Sequence, residues 1–189
     1  MTHAFGIDPG ASGAIALLDG DGDLLWVEEM PHHTGIVSAP AVRQLFQRTP
    51  TSSAVAWIED VHAMPQQGVS STFKFGRAHG TVIGVLGALD IPIRFVAPAK
   101  WKKHFGLTQR KDPTLSSSAK SAASKTASRR HATETWPAQA SSFSLVKDDG
   151  KAEASLIALY GLTLTRVIVP NWDTHTNVFL DAFPTMKES

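Results

Sequence analysis

Residues 5–19 read FGIDPGASGAIALLD, and the fold is decided there. Ala4 to Asp8 is a short run that ends on an acid, and Pro9-Gly10 turns the chain at once. Ala14 to Leu18 is a continuous apolar run that stops at DGDGD, residues 19–23, a second turn signal. Leu24 to Met30 reads as a third strand. Tight turns join only antiparallel neighbours, so these three strands predict a meander.

Outward from that stretch, the order becomes that of an α/β protein. Ser38 stands where it could cap a helix from Ala39 to about Gln47, with Val42, Leu45 and Phe46 on one stripe. Ala54 to Glu59, AVAWIE, is a buried strand that again ends on an acid. Ser70 to Leu89 predicts a helix despite its glycines, with Phe73, Arg77, Gly80 or Thr81, and Gly84 along one face. Ile91 to Val96 is a fifth strand, with Pro92 at its start, where a missing donor matters least. Leu115 to about Thr135 is rich in Ala, Ser and Lys and predicts a partly exposed helix stopped by Pro137. His131 to Leu145 reads as a loop. Asp148 to Leu164 is the clearest amphipathic helix, with Ala152, Leu156, Leu159 and Tyr160 on one side and Ile157 extending it. Such an order calls for a mixed sheet covered by helices. Residues 1–164 form one domain in this reading, and 165–189 an irregular extension with one edge strand at Arg166 to Val169.

Composition removes several classes of function. The chain has 189 residues, 42% hydrophobic and 19% charged, which suits one soluble domain with a proper core. It has no cysteine, which excludes a disulfide scaffold, a thiol nucleophile and a thiolate zinc site. No apolar run is long enough to span a membrane, and MTHAFGIDPG carries no basic segment before an apolar one, so the cytoplasm is the expected compartment. The net charge of +1 hides an uneven distribution. Between Arg94 and His131, ten Lys or Arg face one acid, Asp112, so this block is +9 and the remainder −8. A basic block beside an acidic body fits a polyanionic partner, and it also fits a solvated helix face.

Three acidic sites fall where chemistry is usually placed. Asp8 and Glu59 end neighbouring strands of the predicted sheet, and Asp60 follows Glu59. DDGKAE, residues 148–153, puts Asp148, Asp149 and Glu153 at a helix start, with Asp149 and Glu153 four apart on one face. Taken singly, each has a plain structural use, as a turn former or as a helix cap. Converging, they would repel one another, and hard divalent cations, Mg²⁺ or Mn²⁺, are the natural remedy. Two such ions, about 3.5–4 Å apart, activate water and stabilise a leaving oxygen of a phosphodiester. The eight histidines form no HxxxH pair, and GASG has no helix after it, so neither a histidine metal site nor a nucleophile elbow is expected.

At four places the chain resembles the RuvC-like Holliday junction resolvases of the RNase H-like superfamily. These are FGIDPGASGAIALLD, AWIEDVHAMP, FKFGRAHGTVIGVLGALDIPIRFVAPAKWKKHFGL and VKDDGKAEASLIALYG, in the family's order. The last two blocks are most similar to the shorter bacteriophage-type members. The resemblance implies a five-stranded mixed sheet, three antiparallel strands then parallel ones, flanked by helices. It also implies a homodimer and Mg²⁺-dependent paired nicking of four-way DNA, in a bacterial cytoplasm or a phage-infected cell. Asp8, Glu59 and Glu153 match metal ligands, and the remaining ligand falls on Asp148 or Asp149. Lys102 matches a lysine near the cleaved strand, and Lys120 is aligned with a second one across the insertion LTQRKDPTLS. Lys74, Arg77, Lys100, Lys103, Arg110 and Lys111 would hold phosphates. Phe73 is placed to wedge between bases, although core packing would also use Phe73 and Phe75. Gly80, Gly84 and Gly87 suit close packing in a dimer or on the sheet.

Two segments depart from the family pattern: the Ser-rich stretch His131 to Leu145, and the tail from Arg166 with Trp172 and Phe179. Rival readings are a broader branched- or flap-DNA nuclease, a junction-binding protein without catalysis, and a fragment of an actin-like kinase. A pure binder gains nothing from acids facing phosphate. The chain is too short for a two-lobed kinase and lacks its second phosphate loop.

Overall fold

The computed structural model describes residues 3–49, 53–61, 68–108 and 116–168. Strands β1 (His3–Asp8), β2 (Ala14–Leu18) and β3 (Leu24–Glu29) form the expected meander, with Asp8 opposite Ala14 and Ala14 opposite Glu29. A two-residue ribbon, β4 (His32–His33) with β5 (Ile36–Val37), was not expected from the sequence. Its strands are too short to leave a periodic signal, and its turn uses Thr34 and Gly35 at positive φ, as tight hairpins require. Helix α1 (Ala39–Phe46) buries Val42, Leu45 and Phe46, while Ser38 at its start makes no side-chain capping bond. Next come β6 (Ala54–Glu59), α2 (Val69–Ala88) and β7 (Ile93–Val96). β6 lies parallel to both β1 and β7, with Ile58 beside Ile7 and Glu59 beside Val96. The sheet order is β3-β2-β1-β6-β7, a five-stranded mixed sheet flanked by helices, as predicted.

The sequence reading missed helix α3 (Pro98–His104), although Pro98 in its first turn and Lys102, Lys103 and His104 in its last are favourable signals. Helices α4 (Ser117–Thr135) and α5 (Asp149–Ile168) follow. Two expectations are corrected here. Helix α4 continues through His131 to Thr135, and a 3-10 turn over Pro137–Phe143 replaces the rest of the expected loop. Buried Trp136 and Phe143 anchor the turn, and Trp136 Nε1 donates to the Gly22 carbonyl at 3.0 Å. Helix α5 runs to Ile168, so residues 166–168 are helical, not an edge strand. Extending a formed helix adds one hydrogen bond per residue fixed, which outweighs weak strand propensity. The boundary drawn after Leu164 therefore falls within α5, and Val169, Trp172 and Phe179 lie outside the described residues.

Alternation along the strands divides the core into two. Phe5, Ile7, Ile15, Leu17, Ala56 and Ile58 meet α1 and the Ala78, Val82 and Leu86 stripe of α2. On the other face, Ala4, Ala16, Val55 and Trp57 meet α5. Gly6 lies on this second face. A Cβ there would run into the Ala154 carbonyl and Ala158, so α5 can cross β1 closely only because residue 6 has no side chain. No described helix is long and apolar enough to cross a membrane.

Candidate functional site

Parity decides where the two strand-end acids point. Ala4, Gly6 and Asp8 share one face of β1, and Val55, Trp57 and Glu59 share the same face of β6. Parallel pairing of Ile7 with Ile58 brings Asp8 and Glu59 to one end of that face, under the start of α5. The turn after Asp8 is closed by the Gly13 amide on the Gly10 carbonyl at 2.9 Å. At residue 13 a Cβ would strike Asp8 itself, so the glycine lets the loop fold back against the acid.

Helix α5 separates the two adjacent aspartates. Asp148, only 2% exposed, accepts the Leu145 amide at 2.8 Å and the Lys151 ammonium at 3.0 Å. Burial alone would raise its pKa, but the Leu145 amide and Lys151 outweigh that and hold it below the ordinary value. Asp149 instead forms an ion pair with Lys125 of α4, and its charge is felt by Asp8. One turn further on, buried Glu153 pairs with Lys102 of α3 at 3.0 Å and accepts the Ser128 hydroxyl at 3.2 Å. Asp8, Glu59, Asp149 and Glu153 therefore form one electrostatic group, and Asp148 belongs to another.

Among the described residues, negative charge is in excess within that group: four carboxylates share two ammonium groups, Lys102 and Lys125. Asp8 is pushed up from 3.8 to about 7, first by burial and then by the charges of Glu59, Glu153 and Asp149. Glu59 is raised by burial and by Glu153, against the opposing pull of the Trp101 N–H and Lys102. Lys125 is raised chiefly by its bond to Asp149. Among the described residues, no three acidic or imidazole side chains stand close enough to enclose a metal ion as they lie. The donor chemistry nonetheless fits a hard divalent cation: the oxygens are carboxylate oxygens, and their mutual repulsion is what such a cation would relieve.

Three contributors were missed in the sequence: Trp101, Lys125 and Ser128. The indole of Trp101 donates to Glu59 at 3.0 Å. Lys125 and Ser128 sit three apart on α4, whose composition hides any face. Of the basic residues named from sequence, Lys102 turns into the acid cluster, whereas Lys100 and Lys103 are exposed on α3. Lys120 is half-buried on α4 and makes no ion pair among the described residues, whereas Lys125 of the same helix pairs with Asp149. Arg110 and Lys111 lie outside the described residues. On α2, Phe73 is 70% exposed, and Lys74 and Arg77 are exposed with it, so Phe73 is not a core residue. Gly76, Gly80 and Gly84 have open space beside them, so they do not serve packing on the sheet.

The sequence matches no protein-family model and no curated protein. In shape, the chain is similar to the structure "T. thermophilus RuvC in complex with Holliday junction substrate", at TM-score 0.58 and 16% identity. That match covers 88% of this chain and 97% of the other. A second structure, "Thermus thermophilus RuvC structure", matches at TM-score 0.54 and 16% identity over 88% of this chain and 96% of that one. The likeness establishes a RuvC-like, RNase H-like fold.

Proposed function

We propose that this chain is a metal-dependent, structure-selective endodeoxyribonuclease that resolves four-way DNA junctions, nearest in kind to the bacteriophage-type RuvC-like enzymes. The observation that carries the reading is the convergence of four carboxylates on Lys102 and Lys125, with Asp8 raised to about 7 first by burial and then by the charges of Glu59, Glu153 and Asp149. Folding gains nothing from such a group unless a cation completes it. Asp8, Glu59, Asp149 and Glu153 would hold two Mg²⁺ ions, and Mn²⁺ would serve in their place. Bound cations would supply a water of lowered pKa and neutralise the leaving oxygen of a phosphodiester. Asp148 keeps its structural bonds and stays outside this set.

The remaining assignments concern the DNA. Lys102 and Lys125 flank the acids and would hold the cleaved strand's phosphate, leaving a 5′-phosphate and a 3′-hydroxyl. Lys100, Lys103 and Lys120, with Arg110 and Lys111, would track flanking phosphates. Phe73 would enter an opened base step at the branch, with Lys74 and Arg77 on the adjacent backbone. The open glycine face of α2 supports a two-fold dimer, which would place two sites on opposed strands of a symmetric junction. A labelled immobile four-way junction and matched linear duplex, each with Mg²⁺ and with EDTA, test the reading. Paired nicks confined to the junction and dependent on Mg²⁺ are expected. Binding without nicks, or equal cutting of both substrates, would contradict it.

A further inference from the structure

Trp101 heads the fully buried side chains by volume, and its one polar atom is committed to the acid cluster. Its Nε1–H donates to Glu59 Oε1 at 3.0 Å. The same ring lies 4.9 Å from Lys102 Nζ, which in turn pairs with Glu153 at 3.0 Å. An apolar core alone would be served by phenylalanine. Buried indole N–H groups need an acceptor, and here the acceptor is a carboxylate of the candidate site. A single rigid ring thus touches one acid directly and another through a lysine.

We propose that Trp101 is a positioning residue: its N–H fixes the Glu59 carboxylate in the orientation in which it would hold a cation, while its ring face holds Lys102 against Glu153. This role rests on the nuclease reading above. Groups that orient metal ligands from behind typically change metal affinity by about 10–100-fold when removed.

The test uses the full chain and Mn²⁺ alone, without DNA. Thermal unfolding is followed across a Mn²⁺ titration for wild type and Trp101→Phe, which keeps the aromatic bulk and deletes the donor. The midpoint of Mn²⁺ stabilisation should move up by about 10-fold in the variant. In junction cleavage, kcat should fall at fixed metal while KM for DNA stays unchanged. A variant that melts earlier but keeps the wild-type Mn²⁺ midpoint would overturn the role and leave the nuclease reading standing. A wild type indifferent to Mn²⁺ would overturn both.

Should Trp101→Phe fail to fold, ¹⁵N-tryptophan spectra of the otherwise intact chain decide the matter. One of the five indole N–H signals should lie downfield, as for a donor on a carboxylate, and move upfield in Glu59→Gln. If no indole signal responds to that change, the proposed bond is absent and the role falls.

Discussion

Two acid–lysine groups meet at the start of α5, and they are built on opposite principles. In one, Glu29 and Asp148 face Lys147 and Lys151 at 3.0–3.6 Å, and the charges balance. Both of its acids are held below their ordinary pKa. In the other, four carboxylates share Lys102 and Lys125 among the described residues, and Asp8 and Glu59 are raised. The balanced group stabilises the fold and asks for nothing more. The unbalanced group costs stability, and a protein keeps such a cost at sites that use it. Adjacency in sequence is therefore a poor guide to role: Asp148 and Asp149 are neighbours and belong to different groups.

The contrast is broken most severely at Asp8. Asp8→Asn should lower junction cleavage by on the order of 10³-fold or more, since a cation site is worth several kcal/mol to the transition state. Junction affinity should stay close to wild type in a gel-shift assay, because the lysines proposed to hold phosphates are untouched. The same variant should gain stability in metal-free buffer. A carboxyl raised from 3.8 to about 7 keeps its proton in the folded state while the unfolded chain releases it. Wild-type stability therefore falls as pH rises from about 4 to about 7, at about 1.4 kcal/mol per pH unit at most. Denaturant titrations should find Asp8→Asn more stable by up to about 4 kcal/mol at pH 8, with the gap closing near pH 4. Equal stability at both pH values would contradict the burial and crowding of the Asp8 carboxyl among like charges.

Asp148→Ala should behave in the opposite sense and with a smaller size. Its folded pKa is lowered, so its contribution is present above the ordinary aspartate range and is lost as pH falls through it. A loss of about 1–2 kcal/mol is expected at pH 7, as for a helix cap with a charged partner, and it should shrink below pH 4. Removing charge at exposed Lys100 and Lys103 sharpens the electrostatic side of the account. The slope of log affinity against log salt should become shallower by about 0.9 for each phosphate no longer neutralised. The smallest effect on the site itself is expected at Gly80→Leu. That residue faces open space, so the fold should survive while the proposed dimer gives way to monomer in sedimentation.

Much of the fold was legible because it is written in local signals. Apolar runs at residues 4–8 and 14–18, bounded by Pro-Gly and DGDGD, can form little else than a meander. AVAWIE ends on Glu59 beside Asp8 because parallel pairing puts like ends together. Less was legible where tertiary contact decides. Trp136 and Phe143 turn a Ser-rich stretch into an anchored 3-10 turn, and nothing in the local composition announces that. In the candidate site, Asp8, Glu59, Asp149 and Glu153 could be named from sequence, but the parting of Asp148 from Asp149 could not. It depends on Lys151 and Leu145 on one side and on Lys125, two dozen residues away on another helix, on the other. Trp101 was hidden for the same reason, since α3 must be in place before its indole meets Glu59.

The most direct test sets the two aspartates side by side. Asp148→Asn and Asp149→Asn are assayed for Mg²⁺-dependent nicking of an immobile four-way junction, with circular dichroism confirming that both are folded. Asp149→Asn should slow nicking by at least about 10²-fold, the scale of removing a metal ligand or an oxyanion donor, while Asp148→Asn stays within a few-fold of wild type. A dead Asp148→Asn beside an active Asp149→Asn would contradict the claim that excess negative charge marks the working site.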